Sequence, residues 1–225
     1  MKILLITFFV GSLLVMIPLF RRVLPAPYVT VTVLIVGLNP FFWQFKDQVL
    51  SDVPFLFFLL VSLLLFMRAD EGDDPARHRT MLAVLSGVAA YAAYATRTLG
   101  LMLIPCYIAH DLIRYRRLTI NAALPAGIAL ALASLQYVFW VHDDSYFDSL
   151  ASPLAVVRNV TAYLRTLADL WENGYSNDVR RILFLGAGVV AAVGYVSSWR
   201  ARVSVLHLFP PLYLAPVLAW PRIKG

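Results

Sequence analysis

The stretch that decides the fold runs over residues 80–113: TMLAVLSGVAAYAAYATRTLGLMLIPCYIAHDLI. Its only ionisable interruptions are Arg97, His110 and Asp111. As one helix it would be about 50 Å long at 1.5 Å per residue, far beyond a hydrocarbon core of about 30 Å. Arg97 therefore divides it into two passes, the second short and containing Pro105. The distribution of arginine supports the division. With two passes here, alternate loops hold Arg21 and Arg22; Arg68, Arg77 and Arg79; Arg114, Arg116 and Arg117; Arg200 and Arg202. Short loops dense in arginine belong on the cytoplasmic side. A single pass would put Arg114, Arg116 and Arg117 outside.

The rest of the chain fits the same pattern. Of its 225 residues, 60% are hydrophobic and 14% charged, and the mean hydropathy is +0.74. Soluble domains carry about 45–50% apolar and about 25% charged residues, so this composition excludes an ordinary soluble globule and a disordered chain. Uncharged stretches at residues 3–20, 27–45, 53–67, 118–141, 182–199 and 203–220 join the two halves of 80–113. The expectation is an all-α polytopic membrane protein of about eight transmembrane helices, at roughly 20 residues each. Residues 1–225 read as one transmembrane domain. Prolines in or near the spans (Pro40, Pro105, Pro125, Pro210, Pro211, Pro216) suit broken helices whose freed carbonyls neighbours re-satisfy. The net charge of +6 is the arginine of the cytoplasmic loops rather than a nucleic-acid footprint. The single cysteine, Cys106, excludes a disulfide framework and a multi-cysteine zinc site.

Residues 142–181 form a polar outer-face loop. Within it, Leu154, Val157, Val160, Leu164, Leu167 and Trp171 recur at helical spacing, behind Ser152 and Pro153 as a start signal. This predicts one amphipathic helix lying on the outer membrane surface or lidding a cavity. The first span begins at residue 3, almost at Met1, and the chain stops soon after the last span ends at residue 220, so the chain is expected to be a fragment, or a remnant that is not active alone.

Ionisable groups in or beside a pass are functional candidates, because burying them is costly unless they are paired or wet. Asp52 opens the third span beside Ser51 and Pro54, where helix N–H groups stabilise a carboxylate; a simple cap is the competing reading. Arg97, between two apolar stretches, can fork onto a phosphate or snorkel to the surface. Lys46 and Asp47 read first as interfacial charges. His142, Asp143 and Asp144 are an acidic cluster at the outer mouth, solvated or able to hold a divalent ion through oxygen. His110 and Asp111 read as structural, and Asp70 to Asp74 as a solvated cytoplasmic loop. Asn159-Val160-Thr161 matches a glycosylation acceptor. No Gly-rich phosphate loop, His-Glu zinc motif or nucleophilic triad signature is present.

Three segments together resemble the GT-C-fold membrane glycosyltransferases of the family 39-like group, which includes protein O-mannosyltransferases and lipid A aminoarabinose transferases. Leu38-Asn39-Pro40 followed by Leu50-Ser51-Asp52-Val53-Pro54-Phe55 is similar to the family's "NP … S(D/E)P" stretch. Ala95-Thr96-Arg97-Thr98-Leu99-Gly100-Leu101, followed by Pro105 and the arginine-rich loop, is similar to its "T(R/K)-x-x-G" turn. Residues 208–221 are similar to its late helix. The resemblance implies transfer of a sugar from a polyprenyl-phosphate carrier to a lipid, glycan or protein acceptor on the outer face. It implies Asp52 as the acid that accepts the acceptor's proton and Arg97 as the holder of the lipid phosphate. Lys46 is a further phosphate contact, and Asp47, Ser51, His142 and Asp143 are secondary candidates. A divalent metal is possible and no other cofactor is implied. The family's main catalytic acid lies in a first outer loop that has no counterpart here. The implied setting is a bacterial inner membrane. The alternative is a transporter or non-catalytic membrane protein, although no inverted internal repeat is visible.

Overall fold

The computed structural model describes residues 2–38, 51–71, 75–140, 159–160, 162–164, 177–201 and 203–219. Among these the chain is all-helical, with no strand. The helices are α1 (Lys2–Phe20), α2 (Ala26–Leu38), α3 (Asp52–Glu71), α4 (Ala76–Thr96), a 3-10 turn (Thr98–Met102), α5 (Leu103–Tyr115), α6 (Ile120–Trp140), α7 (Asn177–Ala201) and α8 (Val205–Ala219). Three are long and apolar enough to cross a membrane: Lys2–Phe20, Asp52–Glu71 and Ile120–Phe139. Ala26–Leu38, Phe184–Trp199 and Val205–Ala219 are shorter apolar helices. By length and composition these helices are consistent with a membrane protein.

Most expected spans coincide with helices, and the break at Arg97 is present. Residue 97 itself is extended (φ −156°, ψ 127°) between α4 and the 3-10 turn. Thr96 ends α4, its hydroxyl donating to the carbonyls of Ala92 (3.1 Å) and Ala93 (2.8 Å). The 3-10 turn requires glycine at position 100. It folds back so closely that a Cβ there would lie 2.3 Å from the backbone nitrogen of Tyr94 and 2.5 Å from the carbonyl carbon of Ala93. Pro105 falls in the first turn of α5, where its missing N–H has no intrahelical partner to lose.

The chain divides into two compact units, Met1–Val141 and His142–Gly225. In the first, α3 packs on α1 and α4, and α4 packs on α6, which also meets α5. Small residues let the backbones approach, as is common between membrane helices. At Gly87 of α4 an added Cβ would stand 2.8 Å from the carbonyl oxygen of Pro125 on α6. One polar knot ties α3, α4 and α5 together. The hydroxyl of Ser62 donates to the Ser86 carbonyl (2.6 Å), and that of Ser86 donates to the Ser62 carbonyl (3.0 Å). Both hydroxyl protons are then committed, so the buried Tyr107 hydroxyl donates to Ser62 Oγ at 2.6 Å. Phe66 stacks on the Tyr107 ring, with centroids 4.3 Å apart.

In the second unit, α7 exposes Ile182, Leu185, Val189, Val190 and Val193. An exposed apolar run of this kind marks a surface made to be covered by lipid or partner. Of the amphipathic helix expected over 153–171, only residues 159, 160 and 162–164 are described, and these are helical. Asn159 is buried and donates to the Leu218 carbonyl at 2.8 Å.

Candidate functional site

The first helical residue of α3 is Asp52. The Ser51 carbonyl accepts the N–H of Phe55 at 3.0 Å, so Ser51 occupies the cap position and the Asp52 side chain is left for another task. That side chain forms an ion pair with Arg97: a guanidinium Nη1 meets carboxylate Oδ1. The two come from the start of α3 and from the extended residue between α4 and the 3-10 turn, 45 positions apart (97 − 52). The extended backbone at 97 turns the side chain out of the helical path, while the close approach at Gly100 fixes the turn behind it. Side-chain exposures of 41% for Asp52 and 42% for Arg97 leave the pair open to an incoming group.

The structure thus brings together Asp52 and Arg97, with the exposed Ser51 directly before Asp52 in sequence. Lys46, Asp47, His142 and Asp143 lie outside the described residues.

A second polar constellation lies at the other end of α3, and the sequence reading misplaced its first member. Asp70 is not part of a solvated loop. The helix α3 continues through Glu71, and Asp70 is buried. It belongs to the inward stripe that contains Ser62, Leu63, Phe66 and Ala69, at helical spacing. That continuation of the stripe was the available signal. Arg114 of α5 forms an ion pair with Asp70 Oδ2, and the Tyr115 hydroxyl donates to Oδ1 at 2.8 Å. The next residue, Glu71, pairs with Arg22. Arg79 Nε (3.0 Å) and Asn121 Nδ2 (3.3 Å) both donate to the Ala69 carbonyl, satisfying one of the acceptors a helix C-terminus leaves open. Buried Asp111 takes the backbone N–H of Thr119 at 2.7 Å and its hydroxyl at 2.6 Å on one oxygen, Oδ2. This pins the start of α6 to α5, after the left-handed Arg116 (φ 54°) that ends α5. His110, also buried, has Nε2 4.0 Å from Asp70 Oδ2 and Nδ1 3.6 Å from Asp111 Oδ1. The expectation that His110 and Asp111 take part in structure holds for the Thr119 contacts of Asp111.

In the second unit His207, in the first turn of α8, reaches Ser198 of α7. The Ser204 N–H donates to its Nδ1 at 3.1 Å, and its Nε2 stands 2.9 Å from Ser198 Oγ. The Ser198 hydroxyl donates to the Tyr195 carbonyl at 3.0 Å.

In comparison with known proteins, the chain matches no family model, no curated protein and no solved structure.

Proposed function

We propose that this chain is, or belongs to, a membrane glycosyltransferase that moves a sugar from a polyprenyl-phosphate carrier to an acceptor hydroxyl at the outer face. The observation that supports this reading is the half-exposed Asp52–Arg97 ion pair. A carboxylate and a guanidinium held side by side are the two groups such a transfer needs. The acceptor hydroxyl attacks the anomeric carbon, forming the new C–O bond as the bond to the phosphate oxygen breaks. Asp52 takes the hydroxyl proton as general base. Arg97 forks onto the departing lipid phosphate, whose charge grows as it leaves. With no donor bound, the two groups neutralise each other. A donor phosphate competes for Arg97, and its arrival frees the carboxylate.

The topology that goes with this reading has about eight passes, the arginine-rich loops on the cytoplasmic side and the start of α3 on the outer side. The arginine distribution supports it, as does the division of residues 80–113 at Arg97. The acceptor is a lipid, glycan or protein, and the setting is a bacterial inner membrane.

The test is sugar transfer in membranes bearing the full chain, given a panel of radiolabelled polyprenyl-phosphate sugars. Asp52→Asn keeps the size of the side chain and removes its basicity. It is expected to abolish label transfer while membrane insertion and donor binding persist. Transfer at the unmodified rate by Asp52→Asn ends the assignment.

A further inference from the structure

We propose that Asp70, His110 and Asp111 form a binding site for a divalent transition-metal ion, at the opposite end of α3 from the Asp52–Arg97 pair. Each of the three brings a ligand atom within 4.8 Å of the other two, and all three residues are buried. Proximity of acidic groups would not carry the inference. Two atoms that make no hydrogen bond do. His110 Nδ1 and Asp111 Oδ1 are both shut off from solvent and make no hydrogen bond among the described residues. Their side chains are 3% and 0% exposed. Buried polar atoms almost always make a hydrogen bond, so two that stand side by side without one call for a reason.

They face each other at 3.6 Å. That separation is too long for a hydrogen bond, which needs about 2.7–3.2 Å. It is close to the ~3.4 Å between two ligands of a tetrahedral ion with bonds of about 2.0–2.1 Å. The neighbouring contacts hold the donors in place. Asp111 is anchored through its other oxygen, Oδ2, by both donors of Thr119, which leaves Oδ1 directed at the imidazole. The His110 ring is set edge-on against Phe66, with centroids 5.3 Å apart. Asp70, held by Arg114 and Tyr115, has Oδ2 4.0 Å from Nε2, so a turn of the imidazole brings one ring nitrogen and both carboxylates to a single ion. Counted formally, the two carboxylates and the one guanidinium of Arg114 sum to −1 (−2 + 1), which a divalent cation would offset. One imidazole nitrogen with two carboxylates suits zinc, manganese, cobalt or iron(II) better than calcium or magnesium, which prefer an all-oxygen shell.

The experiment uses the untagged full chain, purified in detergent and stripped with a chelator. Cobalt(II) is titrated and its visible absorption recorded, with zinc(II) added afterwards as competitor. The expected result is saturable one-to-one binding with the intense bands of a low-coordinate site, reversed by zinc. Asp111→Asn retains an oxygen for Thr119 and is expected to fold. It and His110→Gln should each bind cobalt at least tenfold more weakly, with helical content checked by circular dichroism. If one variant fails to fold, the other decides. This comparison also separates the site from His78, His142 and His207, which both variants keep. Absence of saturable one-to-one binding, or unchanged affinity in either folded variant, overturns the proposal. Because the readout is metal binding alone, its failure would leave the glycosyltransferase reading standing.

Discussion

The two ends of α3 carry the same kind of contact in opposite surroundings. At its start, Asp52 meets Arg97 with both side chains about two-fifths exposed. Near its end, Asp70 meets Arg114 with the carboxylate almost wholly buried, its side chain 4% exposed. The energetic meaning differs accordingly. An exposed pair contributes about 0–1 kcal/mol to stability, because water competes for both partners. A buried carboxylate deprived of its partner, or a partner deprived of its carboxylate, costs about 3–5 kcal/mol. The first arrangement contributes little to holding the helices together and can open at small cost. The second fastens α3 to α5. An exchangeable pair suits a site that must release its carboxylate when a ligand arrives, whereas a fixed pair suits a joint.

Substitutions can break this contrast. The largest effect should come from Asp70→Ala. Arg114 is itself partly exposed, which tempers the loss, but the Tyr115 hydroxyl also loses its acceptor. Unfolding free energy is expected to fall by about 3 kcal/mol, seen as a lower midpoint in thermal denaturation in detergent. A loss smaller than that of the exposed pair would erase the distinction between the two ends. Gly100→Ala should rank next. The added methyl meets backbone at residues 93 and 94, which cannot rotate away, and overpacking of this kind costs about 1–3 kcal/mol. The turn must shift to admit it and carry Arg97 with it, so transfer activity should fall together with the melting midpoint. The smallest effect on stability should be that of Asp52→Asn, within about 1 kcal/mol of the unmodified chain, measured by the same melt. A near-zero change there, beside loss of transfer, would sharpen the contrast most.

The sequence made the start of α3 legible and hid its end, for physical reasons. Arg97 breaks an apolar run too long for one pass, and a proline lies in the next helix; both signals are local. Asp52 precedes an apolar helix beside Ser51 and Pro54, again a local signal. Asp70 opens an acidic run, and composition alone reads that as solvated. Its burial depends on Arg114 and Tyr115, 44 and 45 residues away, and on α5 folding back after the turn at Gly100. Nothing in the local spacing announces those partners, although the 3- and 4-residue rhythm from Leu59 through Phe66 points inward at position 70. The helical class was legible because apolar runs near twenty residues have few soluble alternatives. The second span extends to Phe45 in the sequence reading, while α2 is described only to Leu38.

The histidine that reaches from α8 to α7 is fixed in one tautomer. Its one lone pair able to take a proton is spent on a main-chain amide, that of Ser204, so the opposite nitrogen must carry hydrogen toward Ser198. The serine, in turn, hands its own hydrogen to a carbonyl. The relay therefore runs imidazole to hydroxyl to backbone, the reverse of what would sharpen an alcohol into an attacking oxygen. What resembles a hydrolase pair in residue type works here as a clasp between two helices.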